Sequence, residues 1–576
     1  MLNRRRPVQF PRFLRPILKP LGLAVLLATT APAHSEPFGD YLAARSADMS
    51  GDFEAVVTWG TEVLASDPSN FATMEHLILA QIGLGKMEEA KPYANRLISV
   101  QPDSQVAGFV LIADATKRQD WPELSRLIAS DISIGLLIDG MITAWAAIGE
   151  GRMNRGLEVF DELAATPGLE QIALLQKALA LAWVGDFEGS AKIFAGEDKA
   201  TLSLQRSGIL AYATILSQLE RNPDAVELID MAFQQPFDPE LAQIRAELAA
   251  GKPLPFTALE GPQDGLASIF FEVGNSIREE ADPLLVLVYA RLAEYFEPEN
   301  FLATLLVAQE FEEMGNFRLA AEAYGSLDAE SPAYAQAQLG RAGALHQLGD
   351  VAGAIAALEA LADAHPDLPV AHSSLGDIYR FEKRYAEALP IYSRAIALYD
   401  EPAQSQWATY FARGICHERE GDWPAAEADF RRALELSADQ PSVLNYLGYS
   451  YVERRENFDE ALAMIETAVE ARPFDGYIRD SLGWVYFRLG RFDDAVREME
   501  RAVELLPVDP VLNDHLGDTY WAVGRVREAE FQWNRALSFV TDDTNLEELK
   551  PDRIRRKLDV GLDQVLAEEG AEPLVR

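Results

Sequence analysis

The chain has a single cysteine in 576 residues, Cys416. One thiol cannot close an intrachain disulfide, so no disulfide framework holds the fold. Histidine is scarce as well, with seven in all. No H-E-x-x-H or C-x-x-C pattern occurs to offer metal ligands at working spacing. Basic residues are outnumbered by acidic ones, 51 to 91, for a net charge of -40. That balance argues against wrapping nucleic acid, which needs clustered Lys and Arg. Long apolar runs are missing beyond the N-terminus. The best stretch, near Ile134 to Ile148, is interrupted by Asp139. Gly and Pro together number 69, an average share that excludes collagen and argues against wholesale disorder.

The N-terminus has its own character. Arg4, Arg5, Arg6, Arg12, Arg15 and Lys19 precede an apolar run, Leu21 to Ala31, with no acid among them. The run is too short to span a bilayer comfortably. Ala31-Pro32-Ala33 then supplies an A-x-A cleavage pattern. Together they predict a secretory signal peptide over 1–33. No cysteine lies near that site to take a lipid. Removal would leave 45 basic residues against 91 acidic, a net -46. The expectation is an exported protein of the periplasm, with no transmembrane segment in the mature chain.

What the sequence has in plenty is repetition. Pro68 and Pro102 are 34 residues apart, as are Pro298, Pro332 and Pro366, and again Pro473 and Pro507. Leu-Gly pairs recur at Leu447, Leu482 and Leu516. Each unit reads as two helices. In 476–509, Leu482, Gly483 and Tyr486 share one helical face, and Phe492, Ala495, Met499 and Ala502 share another. Gly490 ends the first helix in a left-handed cap, and Pro507 stops the second. The small residues Gly483 and Ala495 let the two helices approach.

A 34-residue helix pair with small residues at positions eight, twenty and twenty-seven, and proline at thirty-two, resembles the tetratricopeptide repeat. Nine units are clear: 37–70, 71–104, 301–334, 335–368, 369–402, 407–440, 441–475, 476–509 and 510–543. Five weaker ones fit at 105–136, 137–170, 171–204, 206–239 and 267–300. In these, Leu124, Gly156, Ser190 and Val286 stand where Ala is expected. The fold class is therefore all-α, an α-solenoid of about fourteen repeats, in two segments or in one array. Residues 37–236 would form an N-terminal solenoid and 267–543 a C-terminal one. The Pro/Gly-rich stretch 237–266 reads as a linker between them, or as a long loop within one array. Residues 544–576 read as a charged capping helix and tail, since a solenoid must cover its last apolar face.

Chemistry is harder to find. His417 follows Cys416, but neighbours on a helix point to different faces. Gly83, Gly85 and Lys86 mimic a phosphate loop, yet Ala80 and Met87 stand where glycine and Ser or Thr are required. Gly85 is more simply a turn glycine. The expectation is no enzyme and no cofactor.

A binding surface remains. The resemblance implies that positions two, five, nine and twelve of each first helix face a groove. Over the last three repeats the candidate groove residues are Asn445, Tyr449, Tyr477, Asp480, Trp484, Phe487, Asp514, Asp518 and Trp521. Rings beside amides and acids suit an extended peptide, and the acids imply a basic partner. Function is then expected to be a non-enzymatic periplasmic scaffold or adaptor. Similar envelope proteins present substrates to proteases or peptidoglycan hydrolases; a pilus or secretion-assembly factor is the alternative.

Overall fold

The structure, a computed structural model, describes residues 37–130, 132–196, 202–233, 239–541, 549–571 and 574. The expected signal peptide, 1–33, lies outside the described residues. Thirty-one α-helices and one short 3-10 turn occur among them, and no strand. The chain divides into two compact units, Met1–Val110 and Leu111–Arg576, with the division inside helix Gln105–Lys117.

The first unit holds two full helix pairs, Pro37–Ser50 with Phe53–Ser66 and Phe71–Gly83 with Met87–Ile98. Their caps are written in sequence. Asp52 accepts from Ala55 N and Asn70 from Thr73 N, satisfying donors that a helix start leaves open. Gly85 takes φ +71° in the turn between the second pair, the ordinary role for a glycine there.

In the second unit helix pairs follow one another at the expected period. Together with the first unit, all fourteen repeat units hold one pair each. The weak repeats pack as tightly as the clear ones. Leu124 and Val286 are buried completely. Gly156 leaves no room for a Cβ against Ile148 and the Ala144 carbonyl. Ser190, also buried, donates its hydroxyl to Ala178 O at 2.8 Å. Close approach of the two helices is what matters, and several residue types allow it.

In thirteen of the fourteen units the inter-helix turn passes through the left-handed region; the turn 278–282 does not. Glycine supplies it at Gly315, Gly349, Gly421, Gly490 and Gly524. Lys383 and Arg455 occupy the same place at φ +57° and +58°. A second regularity was not legible in advance. Arg384, Arg491 and Arg525, just after that turn, stack on Tyr379, Tyr486 and Tyr520 at 4.5, 4.2 and 4.0 Å. Tyr486 and Tyr520 donate in turn to Glu466 and Glu500 of the preceding repeat.

The 237–266 stretch does not behave as a spacer. It contains helix Pro239–Ala249. The chain after it is tied to earlier helices: Asn222 Nδ2 donates to Lys252 O, Leu254 N to Ser217 Oγ, and Trp183 Nε1 to Glu260 O, at 2.9–3.0 Å. Helix Pro262–Ile277 then docks on Leu136–Gly149 and Glu170–Trp183. Gly265 permits this, because any side chain would collide with the Trp145 indole. A hydrogen-bonded chain runs from Trp145 Nε1 to Gln176, and from Gln176 to Ser268 Oγ, each at 3.0 Å. The helix pairs on either side of the stretch are thus joined through a packed junction.

At the other end, helices Pro551–Val560 and Leu562–Glu568 cover the last repeat. Leu549, Ile554, Leu562 and Val565 are buried, the first three in one core with Leu516 and Trp533. The break between the two helices falls at Gly561, φ +82°, rather than at Pro551, which opens the first of them. This is the polar-faced cap that a solenoid end requires.

Candidate functional site: a cavity along the groove face of the last repeats

The first helices Trp407–Arg419, Pro441–Arg454, Gly476–Arg488 and Pro510–Ala522 line up side by side. Their groove positions, with the start of the C-terminal cap, enclose a cavity of about 1240 Å³. Seven of the nine expected residues line it: Asn445, Tyr449, Tyr477, Asp480, Trp484, Asp514 and Asp518. Phe487 and Trp521 do not.

Phe487 is core. It is buried and sits in the cluster around Met499 and Leu516, stacked at 4.9 Å on Trp484 and edge-on to Phe492. Trp521 is covered by the cap. Its Nε1 donates to Asp563 at 3.1 Å, and its ring lies against Gly561, where a Cβ could not fit. Neither ring is offered to a partner.

Trp484 lines the cavity but is not a free ring. It is half-buried, with Nε1 donating to Glu453 Oε1 at 2.6 Å. One face stacks on Phe487 and the other on His515 at 4.3 Å. Tyr477 is the most exposed aromatic of the set, 58% accessible, and its hydroxyl reaches Asp509 at 3.2 Å.

The acids are matched from within the chain, which corrects the simple expectation of a basic partner at these positions. Lys557 Nζ lies between Asp514 and Asp518, 2.8 Å from the first and 2.6 Å from the second. Trp533 Nε1 also donates to Asp518, at 2.9 Å. Burial pushes the Asp514 carboxyl up, against the pull of Lys557. Asp480 Oδ2 receives His515 Nδ1 at 2.9 Å. Burial opposes charge on His515, but the Asp480 carboxylate outweighs it and holds the imidazolium's pKa up at about 9. Sequence reasoning could not see Lys557 coming, because 39 residues separate it from Asp518 and only the fold of the cap joins them.

Four groups of the cavity stay open. Asn445 Oδ1 and Asp480 Oδ1 are buried and have no donor among the described residues. Arg488 and Lys550 line the same wall, and neither forms an ion pair among those residues. Arg488 is at position thirteen, one beyond the set read from the repeat, so the pattern passed over it. As for nucleophiles, Cys416 is buried, and burial pushes its thiol's pKa up to about 12. At that value it stays protonated at neutral pH. No group of three or more His, Cys, Asp or Glu is placed to hold a metal among the described residues, and no helix there is long and apolar enough to cross a membrane.

Comparison with known proteins bears on the repeat. The tetratricopeptide repeat family matches at 305–369, 367–439 and 447–510. A TPR repeat-containing protein of Pseudomonas aeruginosa is 32% identical over 81 residues, 14% of this chain and 14% of its own length. The match therefore spans well under two thirds of that relative. Among solved structures, the Cut9-Hcn1 hetero-tetramer is similar at 14% identity over 92% of this chain and 97% of that one, with a TM-score of 0.38. A tetratricopeptide repeat protein from Parabacteroides merdae is similar at 15% identity over 46% and 98%, with a TM-score of 0.36. The periodicity, the helix pairs and the matched segments converge: the chain carries tetratricopeptide repeats.

Proposed function

We propose that the chain is a non-enzymatic scaffold that binds an extended polypeptide along the groove face of repeats 407–543. One observation carries this reading. Position five of three successive repeats presents side-chain acceptors, Asn445, Asp480 and Asp514. At the one place where that row is filled by a donor from outside the array, Asp514, the occupant is a protein side chain, Lys557. The other two still hold an oxygen without a donor. An extended partner brings N–H groups at regular spacing to such a wall.

The basic, then apolar, then A-x-A order of residues 1–33 supports export to the periplasm, with the scaffold acting there as an adaptor. The net charge of -40 supports a partner with basic side chains, steered over long range rather than held at Asp514 and Asp518. Its association should slow as salt rises, since exposed charges are screened over about 10 Å at 0.1 M. Presentation of substrates to an envelope protease or peptidoglycan hydrolase fits such a scaffold.

A photo-cross-linking residue at Tyr449 or Tyr477, compared with one at the exposed Phe531 on a second helix, tests the site in cells. Adducts to a polypeptide from the first two and none from the third are expected. Equal adducts from all three positions would count against the groove. A protein recovered in the cytoplasm with Met1 intact would remove the export part alone.

A further inference from the structure

Between repeats 369–402 and 407–440 the 34-residue period is broken by a four-residue insertion. Residues 403–406 are extra, and Gln404–Gln406 form a 3-10 turn. Beside this turn lies a second cavity, of about 630 Å³, between helices Pro369–Phe381 and Trp407–Arg419. Its size falls in the range of ligand pockets, roughly 300–1,000 Å³. Groove positions of both repeats line it, so it opens on the same face as the larger cavity.

Its walls are apolar. Val370, Tyr399, Trp407, Phe411 and Ile415 supply them. Trp407 and Phe411 pack tilted at 6.1 Å, and Val370 is 40% exposed. The polar groups present are largely spent on one another. Tyr399 and Thr409 share a hydrogen bond of 2.8 Å, Gln406 Nε2 donates to Glu401 O at 2.7 Å, and Tyr392 donates to Asp377 Oδ1 at 2.8 Å. A polar small molecule would find few groups left to recognise it. One charged acceptor, Asp377, stays partly open. Asp377 gives Oδ1 to Tyr392 and Arg380 and leaves Oδ2 without a donor, on a side chain 41% exposed.

We propose that this cavity is a specificity pocket for one bulky apolar side chain, aromatic or branched aliphatic, of the bound polypeptide, with a Lys or Arg next to it in that partner to meet Asp377. The inference rests on the protein-binding reading above and adds the chemistry of the anchor. Fully desolvated pockets filled by one large side chain concentrate binding energy. The basic neighbour follows from the open carboxylate oxygen and from the acidity of the whole chain.

The test uses the purified chain and a phage-displayed library of random dodecapeptides. Enriched peptides should carry a large apolar residue adjacent to Lys or Arg. Ala408→Trp, at an exposed position on the pocket lining, should fill the opening and weaken those peptides at least tenfold. Ala412→Trp fills it from deeper, and an unchanged melting curve for Ala408→Trp guards against a folding artefact. Asp377→Asn should lower affinity and flatten its salt dependence. Enriched peptides that bind Ala408→Trp as well as the parent overturn the pocket. If those same peptides are lost on Tyr449→Ala, the groove reading stands without it. A library that enriches nothing overturns both.

Discussion

Lys557 places its ammonium 2.6 Å from Asp518 Oδ1, with none of the lysine side chain and only 2% of the aspartate exposed. A second carboxylate, Asp514, completes the site at 2.8 Å. The pair joins the C-terminal cap to the groove face of the last repeat. It makes two groove-face carboxylates part of an internal contact.

Removing the cation should therefore cost more than removing a surface charge. Lys557→Met leaves two buried carboxylates facing each other, and breaking a buried pair from one side costs about 3–5 kcal/mol. The loss should be local, because each repeat contacts mainly its neighbours. Hydrogen exchange should rise in 510–538 and 549–571 and stay unchanged before residue 400. Uniform protection after the substitution would show that the pair is not what seats the cap.

Two glycines at position eight should differ in their tolerance. A Cβ on Gly483 would lie 2.7 Å from Met499 Cγ, and a methionine side chain can move. On Gly517 it would collide with the Trp533 ring, which is buried and held by Asp518. Gly483→Ala should cost within about 1 kcal/mol, and Gly517→Ala about 1–3 kcal/mol. Gly483→Leu, with more atoms to place, should join the second class. Denaturant melts of the three variants give the order directly.

Trp484 should matter to both fold and binding. Trp484→Ala loses the stacks on His515 and Phe487 and the bond to Glu453. A cost of about 2–4 kcal/mol is expected. Trp484→Phe keeps the stacking and should retain more than half of that stability. A melt for Trp484→Ala indistinguishable from the parent would mean that the ring is free in solution.

Two pH windows should be separable. The pKa of His515 is raised to about 9 from the usual 6.5, so its contribution is complete below pH 6.5 and is lost as pH rises through 9. Asp480→Asn should abolish that slope. Burial raises the Glu272 carboxyl's pKa to about 7 from 4.5, only partly opposed by bonds from Ser268 and Gln176. Its contribution is complete below pH 4.5 and is lost by the time pH passes 7. Glu272→Gln should flatten stability over that lower window and leave the upper one unchanged. Midpoints measured from pH 4 to 10 on the two variants check both signs.

Lys383 holds a left-handed turn that glycine holds in most repeats. Its Cβ pays a steric cost there, partly offset by the greater freedom of glycine when unfolded. Lys383→Gly should stabilise by about 0.5–1 kcal/mol. A destabilised variant would place the cost elsewhere.

The sequence by itself determined the repeat, its period and its helix pairs. Pro68, Gly490 and Pro507 act within a few residues of where they stand, through fixed φ, missing donors and left-handed caps, so their effects are local and readable. It also put Asn445, Asp480 and Asp514 at the same position of successive repeats, the position that the resemblance to the tetratricopeptide repeat implies for a groove. The tertiary structure alone decided which of those positions remain open. Asp518 meets Lys557, Trp521 lies beneath Gly561, and Gly265 seats a helix on Trp145, by contacts 39 to 120 residues apart. Such pairings depend on where the cap and the 237–266 stretch fold back. No periodicity encodes that, since it is settled by which buried charges and rings find partners once the array has formed.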